Sequence, residues 1–89
     1  MISETDKKII LEISKRYHAT RVLLFGSNLH SENESHDIDI GVEGIPSKDF
    51  FSYYGELMIS LSKPIDVVDL SGKSKFINIV KKEGISLYD

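Results

Sequence analysis

Apolar and polar positions alternate along this chain with two different periods, and the changes of period mark the elements. Ile9, Ile10, Ile13 and Tyr17 share one helical stripe, with Glu4, Lys7, Lys8, Lys15 and Arg16 elsewhere, which predicts an amphipathic helix over 4–17 capped by Ser3 or Thr5. Arg21-Val22-Leu23-Leu24-Phe25 is a short apolar run closed by Gly26-Ser27, the pattern of a buried strand ending in a tight turn. After a polar loop, Asp37-Ile38-Asp39-Ile40-Gly41-Val42 alternates strictly, so Asp37, Asp39 and Gly41 share one face of a strand and the three aliphatics share the other. Phe50, Phe51, Tyr54, Leu57, Met58 and Leu61 return to helical spacing behind Ser47 as cap and an early Asp49, leaving Tyr53 for an interface. A third strand is expected over 65–70, and a closing helix over 75–83 ends at Gly84.

The predicted order is therefore α-β-loop-β-α-β-α, an α/β (α+β) chain with a small mixed β-sheet covered by helices. The first two strands are joined by a loop too short for a full parallel crossover, so an antiparallel pairing is open to them. With 89 residues, 40% of them hydrophobic and 28% charged, the expectation is a single domain over 1–89. No apolar run approaches the roughly 18 residues that cross a bilayer, no signal peptide is apparent, and cysteine is absent. These features set the expectations of a cytoplasmic protein, no membrane association and no thiolate metal site.

Charge narrows the chemistry further. Eleven basic against 14 acidic residues argue against a protein that grips duplex nucleic acid through its phosphates. Between Val22 and Ser47 there is no Lys or Arg, while Glu32, Glu34, Asp37, Asp39 and Glu43 all fall there, so a cation is expected to belong to this stretch.

Asp37 and Asp39 carry the chemistry. Alternate strand residues lie about 6.7 Å apart, so two carboxylates on one face can converge on a common cation, and oxygen-only ligation suits Mg²⁺ or Mn²⁺. Taken singly, such a pair is equally the acidic face of a solvated strand, and Gly26-Ser27 is equally a turn glycine with a capping serine. Their conjunction with Asp66, in the later run Lys63-Pro64-Ile65-Asp66-Val67-Val68-Asp69-Leu70, supplies a phosphate cradle, a metal pair and a third carboxylate. Asp69 alternates onto the face opposite Asp66 and is the weaker third acid. Ser71-Gly72-Lys73-Ser74 reads as a helix-starting loop, because the first glycine of a P-loop would fall at Val67. His36 adjoins Asp37 but is otherwise a lone loop histidine.

The stretch Leu23-Leu24-Phe25-Gly26-Ser27, the pair Asp37-Ile38-Asp39, the run Ile65-Asp66-Val67-Val68 and the ending Glu83-Gly84-Ile85-Ser86-Leu87-Tyr88 resemble the minimal nucleotidyltransferases of the DNA polymerase β superfamily. The resemblance covers nearly the whole chain. It implies that Gly26 and Ser27 bind the triphosphate of a nucleotide, and that Asp37, Asp39 and Asp66 are catalytic and hold two Mg²⁺ ions, with Mn²⁺ as the alternative. It further implies transfer of a nucleoside monophosphate, AMP from ATP, to an acceptor hydroxyl. Small members of the family resemble antitoxins of HEPN-domain toxins, which implies a tyrosine of such a toxin as acceptor and the toxin, or a homo-oligomer, as partner. The rival expectation is a silent binding module that neutralises a partner toxin by complex formation. The chain departs from the family in Asn28–His36, nine residues with neither the usual arginines nor a glycine. The two acids in that segment repel a triphosphate unless metal screens them.

Overall fold

Ser3 ends the incoming chain in extended geometry, and its hydroxyl accepts the Asp6 amide at 3.1 Å, which starts the first helix, α1 (Glu4–Arg16). The computed structural model describes residues 2–26 and 37–88. After α1 come β1 (Arg21–Phe25), β2 (Ile38–Glu43), α2 (Ser47–Ser60), β3 (Ile65–Asp69), α3 (Lys75–Glu83) and β4 (Ile85–Tyr88). The expected order is thus present with one addition, the short strand β4. Among the described residues no helix is long and apolar enough to cross a membrane.

The four strands form one mixed sheet in the order β3-β2-β1-β4. β1 runs antiparallel to both β2 and β4, and β2 runs parallel to β3 with α2 as the crossover between them. The antiparallel option for the first two strands is the one adopted.

Alternation along the strands gives the sheet two unequal faces. Val22, Leu24, Ile38, Ile40, Val42 and Ile65 pack against Ile10 and Ile13 of α1 and Tyr53 and Leu57 of α2, forming the main core. The other face carries a small cluster of Leu23, Leu70 and Val80, with Phe25, Val68 and Ile77 packed around it. Gly41 lies under that cluster, where an added Cβ would stand 2.8 Å from a Leu70 methyl, so only glycine lets Leu70 lie flat on β2. A polar tie holds the main core's far end. Asp6 is buried and accepts both the amide of Ser62, at 3.2 Å, and the Ser62 hydroxyl, fixing the start of α1 to the α2–β3 loop.

Three details of α2 correct the sequence expectations. Ser47 is the first residue of the helix, not its cap; Pro46 occupies the cap position and makes no side-chain hydrogen bond there. Tyr53, expected to be available for an interface, is wholly buried, with its hydroxyl 2.8 Å from the Ser14 hydroxyl. Phe51 and Met58, expected in the core stripe, are 86% and 61% exposed, and Ile59 is 86% exposed. Apolar residues occupy two faces of this helix, so periodicity alone leaves its rotation open, and the sheet accepts the face of Tyr53 and Leu57.

Candidate active site

The parallel pairing of β2 with β3 sets Asp39 directly beside Asp66, and the antiparallel pairing of β2 with β1 sets Phe25 on the other side of Asp39. Residues opposite one another in a ladder share a face, so Asp66, Asp39 and Phe25 form a row across three strands on the face of the small cluster. Asp37 stands immediately before β2, two residues from Asp39 on the same alternation. Asp69 pairs with Val42 and lies on the opposite alternation; its carboxylate accepts the Ser71 amide at 2.9 Å and closes the turn after β3.

Gly26 brings the turn against this row. Its φ of 75° lies in the left-handed region, and a Cβ there would come within 2.6 Å of the Asp39 carboxylate oxygen Oδ2. Its backbone angle favours glycine, and the missing side chain lets the Asp39 carboxylate lie close to the main chain. Ser27, the second residue of the expected phosphate turn, lies outside the described residues, as do His36 and the rest of the segment 28–36.

The electrostatics of the row are one-sided. The Asp39 carboxyl is pushed above its ordinary range, first by partial burial, then by the neighbouring Asp66 and by Asp37. Each influence disfavours its negative charge. At the other end of β2, Glu43 lies 3.6 Å from both Arg21 of β1 and Lys81 of α3. The same strand therefore carries one acid neutralised by two cations of the chain and another crowded by its own kind. Hard oxygen donors from paired strands, unfavourable to one another when ionised, are a donor set suited to a divalent cation such as Mg²⁺. Among the described residues no three acidic or histidine side chains are already gathered around one point as ligands of a single ion.

Tyr54 is a neighbour of the site that its place in an aromatic stripe concealed. From α2 its hydroxyl donates to the Ile65 carbonyl at 3.1 Å and lies 3.4 Å from Asp66 Oδ1, holding the edge strand at the level of the acid. No periodicity could reveal this, because it depends on how far a phenol reaches past the sheet edge. At the other end of the row the rings of Phe25 and Phe76 meet edge to face at 5.9 Å.

A sheet of this topology, with an acid pair on β2, a facing acid on β3 and a glycine turn pressed against them, defines a nucleotidyl-transfer type of fold. The family model for polymerase beta nucleotidyltransferases matches residues 7–89, and the chain belongs to that family. Solved structures with the same fold include a toxin–antitoxin complex with AMP-PNP, at 22% identity and a TM-score of 0.75 over 92% of this chain and 72% of the other. The MntA–HepT toxin–antitoxin is similar at 21% identity and a TM-score of 0.72, covering 97% of this chain and 72% of that one. A complex of a tri-AMPylated Shewanella oneidensis HEPN toxin with an MNT antitoxin matches at 22% identity and a TM-score of 0.71, over 93% and 69% of the two chains. No curated protein matches the sequence.

Proposed function

We propose that this chain transfers a nucleoside monophosphate, AMP from ATP, to a hydroxyl on a protein partner, and that the partner is a HEPN-domain toxin restrained by the modification. The observation that carries the reading is the row of Asp39 and Asp66 on paired strands with Gly26 packed on the Asp39 carboxylate. Family membership supports the transfer chemistry, and the likeness to toxin–antitoxin complexes supports the partner class.

In this reading Asp37, Asp39 and Asp66 hold two Mg²⁺ ions, with Mn²⁺ able to replace them, and Gly26 and Ser27 receive the triphosphate. The ions supply charge neutralisation of the phosphates and of the leaving group. The acceptor oxygen forms a bond to the α-phosphorus while the bond from that phosphorus to the bridging oxygen breaks, and pyrophosphate leaves with the electron pair. Asp66 takes the acceptor's proton and releases it to solvent. At Gly26 no Cβ stands between the main chain and the Asp39 carboxylate.

The test is incubation with α-labelled ATP, Mg²⁺ and the protein encoded beside this one. Label is expected on a tyrosine of that protein, and Asp39→Asn should abolish it while leaving the complex intact. Equal labelling by the variant would refute the site.

A second reading has its own observation. Phe51, Met58 and Ile59, with Gly55 between them, make an apolar stripe on the outer face of α2 at 86%, 61% and 86% exposure. Such a stripe suits neutralisation by docking alone, and an intact complex without label for any of the four nucleotides would favour it. Ile59→Lys should then weaken the complex without unfolding the chain, because the side chain is exposed already.

A further inference from the structure

The row of Asp66, Asp39 and Phe25 continues onto α3. Ile77 and Val80 face the sheet, Val80 being 2% exposed. At 100° per residue Phe76 and Lys81 lie on opposite flanks of that facing pair. Lys81 reaches Glu43 at one end of β2, at 3.6 Å, and Phe76 reaches Phe25 at the other, at 5.9 Å between ring centroids. Phe76 is therefore on the acid side of α3, yet 52% of it is exposed. Ile79, one turn further along and 53% exposed, extends the same apolar edge.

We propose that Phe76, held by its edge-to-face contact with Phe25, is the stacking surface for the base of a nucleoside triphosphate whose phosphates lie at Asp39 and Asp66. The inference rests on the nucleotide-transfer reading above and adds to it the residue that senses the base. Neighbouring strands stand about 4.8 Å apart, so one strand step to Phe25 and one ring contact put the Phe76 ring roughly 10 Å from Asp39. A phosphate bound at the acids, a ribose and a base span that gap. The edge-to-face contact with Phe25, at an interplanar angle of 76°, fixes the orientation of the Phe76 ring, and the ring is still 52% exposed. Stacking on a phenyl face is tolerant of base identity, so the surface separates nucleotides from bare polyphosphates and discriminates weakly among bases. An aromatic ring that served only to cover Phe25 could be replaced by any apolar side chain of similar reach, whereas a stacking surface requires the ring.

The experiment compares ATP with inorganic tripolyphosphate, each with Mg²⁺, by calorimetric titration of the intact chain. Wild type should bind ATP more tightly. Phe76→Leu should weaken ATP about five- to thirtyfold and leave tripolyphosphate unchanged, and Phe76→Tyr should retain wild-type affinity for both. The chain has no tryptophan, so Phe76→Trp introduces a single fluorophore, which ATP should quench and tripolyphosphate should not. That readout decides the matter alone if the leucine variant fails to fold. Equal ATP affinity in Phe76→Leu and wild type, or equal loss for both ligands, overturns the proposal. Wild type that binds tripolyphosphate as tightly as ATP overturns the stacking surface alone; wild type that binds neither overturns the nucleotide reading and the surface with it.

Discussion

Asp39→Asn should make the metal-free protein more stable and at the same time deaf to magnesium. The substitution keeps the shape that fits against Gly26, where Asp39 Oδ2 leaves no room for a Cβ, and removes one charge from the row. Paired positions on adjacent strands put the Asp39 and Asp66 carboxylates about 5 Å apart, where two unit charges repel by about 0.8 kcal/mol in water and about 3 kcal/mol at an effective dielectric of 20. Asp39 is only partly buried, so solvent screening holds the value near the lower end, and Asp37 adds a smaller push. A gain of about 1 kcal/mol follows, which for a domain of this size raises the midpoint of thermal unfolding by about 5 °C.

Thermal unfolding in chelator at pH 7 and low salt reads this directly. The sign with pH is fixed by the raised Asp39 carboxyl. A native acid that holds its proton more tightly than the unfolded chain loses stability as pH rises through its folded pKa. The wild type should therefore gain on the variant as pH falls towards the ordinary value of 3.8, where the asparagine's advantage disappears. Salt near 1 M, with a Debye length of about 3 Å, should also shrink it. Magnesium at tenfold its dissociation constant should stabilise wild type by about 1.4 kcal/mol and the variant far less. An asparagine variant that melts below wild type in chelator, or gains as much from magnesium, would refute the claim that Asp39 and Asp66 repel one another.

Other substitutions probe the scaffold. Gly26→Ala should cost about 1–3 kcal/mol in urea unfolding, and Gly26→Asn, which tolerates a positive φ but still carries a Cβ, should recover only part of it. Tyr53→Phe should cost about 1–3 kcal/mol because the buried Ser14 hydroxyl loses its partner. Burial pushes the Tyr53 phenol up to about 12, so its contribution is intact below pH 10 and disappears as pH climbs through that value; the phenylalanine variant should lack this part of the alkaline loss in a pH series of denaturant melts. Asp6→Ala should lower stability by about 1 kcal/mol, because it removes the hydrogen bonds that tie α1 to the α2–β3 loop while water takes up the exposed Ser62 donors, and hydrogen exchange should quicken first in that loop.

The elements that announce themselves in the sequence are those whose burial is local and one-sided. α1 is legible because a single stripe of Ile10 and Ile13 is buried and Ser3 marks its start. β2 is legible because strict alternation admits only one division of faces. β4 has no such signature: Ile85-Ser86-Leu87-Tyr88 is four residues long and largely exposed, and it is a strand because β1 offers an edge to pair with. The rotation of α2 was likewise beyond reach, since Phe51, Met58 and Ile59 are as apolar as the face that is buried. At the site, the identity of the acids could be read, but the register that sets Asp39 beside Asp66 pairs residues 27 positions apart, and no local pattern encodes it. The ion pairs that quench Glu43, from Arg21 and Lys81, are non-local in the same way.

Those ion pairs also set the two ends of β2 apart. A six-residue strand spans about 20 Å, whereas a helix with its side chains is about 10 Å across, so α3, packed on the neighbouring β1, cannot cover both ends of β2. Among the described residues, α3 settles the Glu43 end with Lys81, while Phe25, Phe76 and Gly26, none of them charged, stand at the Asp39 end. Exchanging the two ends' treatment would neutralise the acids from within the chain. A lysine at Phe76 would stand on the flank that borders Asp39, where it could neutralise the row from within the chain. Phe76→Lys should therefore raise thermal stability in chelator, lower the response to magnesium, and do both only while Asp39 is present; additive effects in the double variant with Asp39→Asn would show that the two positions do not share a field.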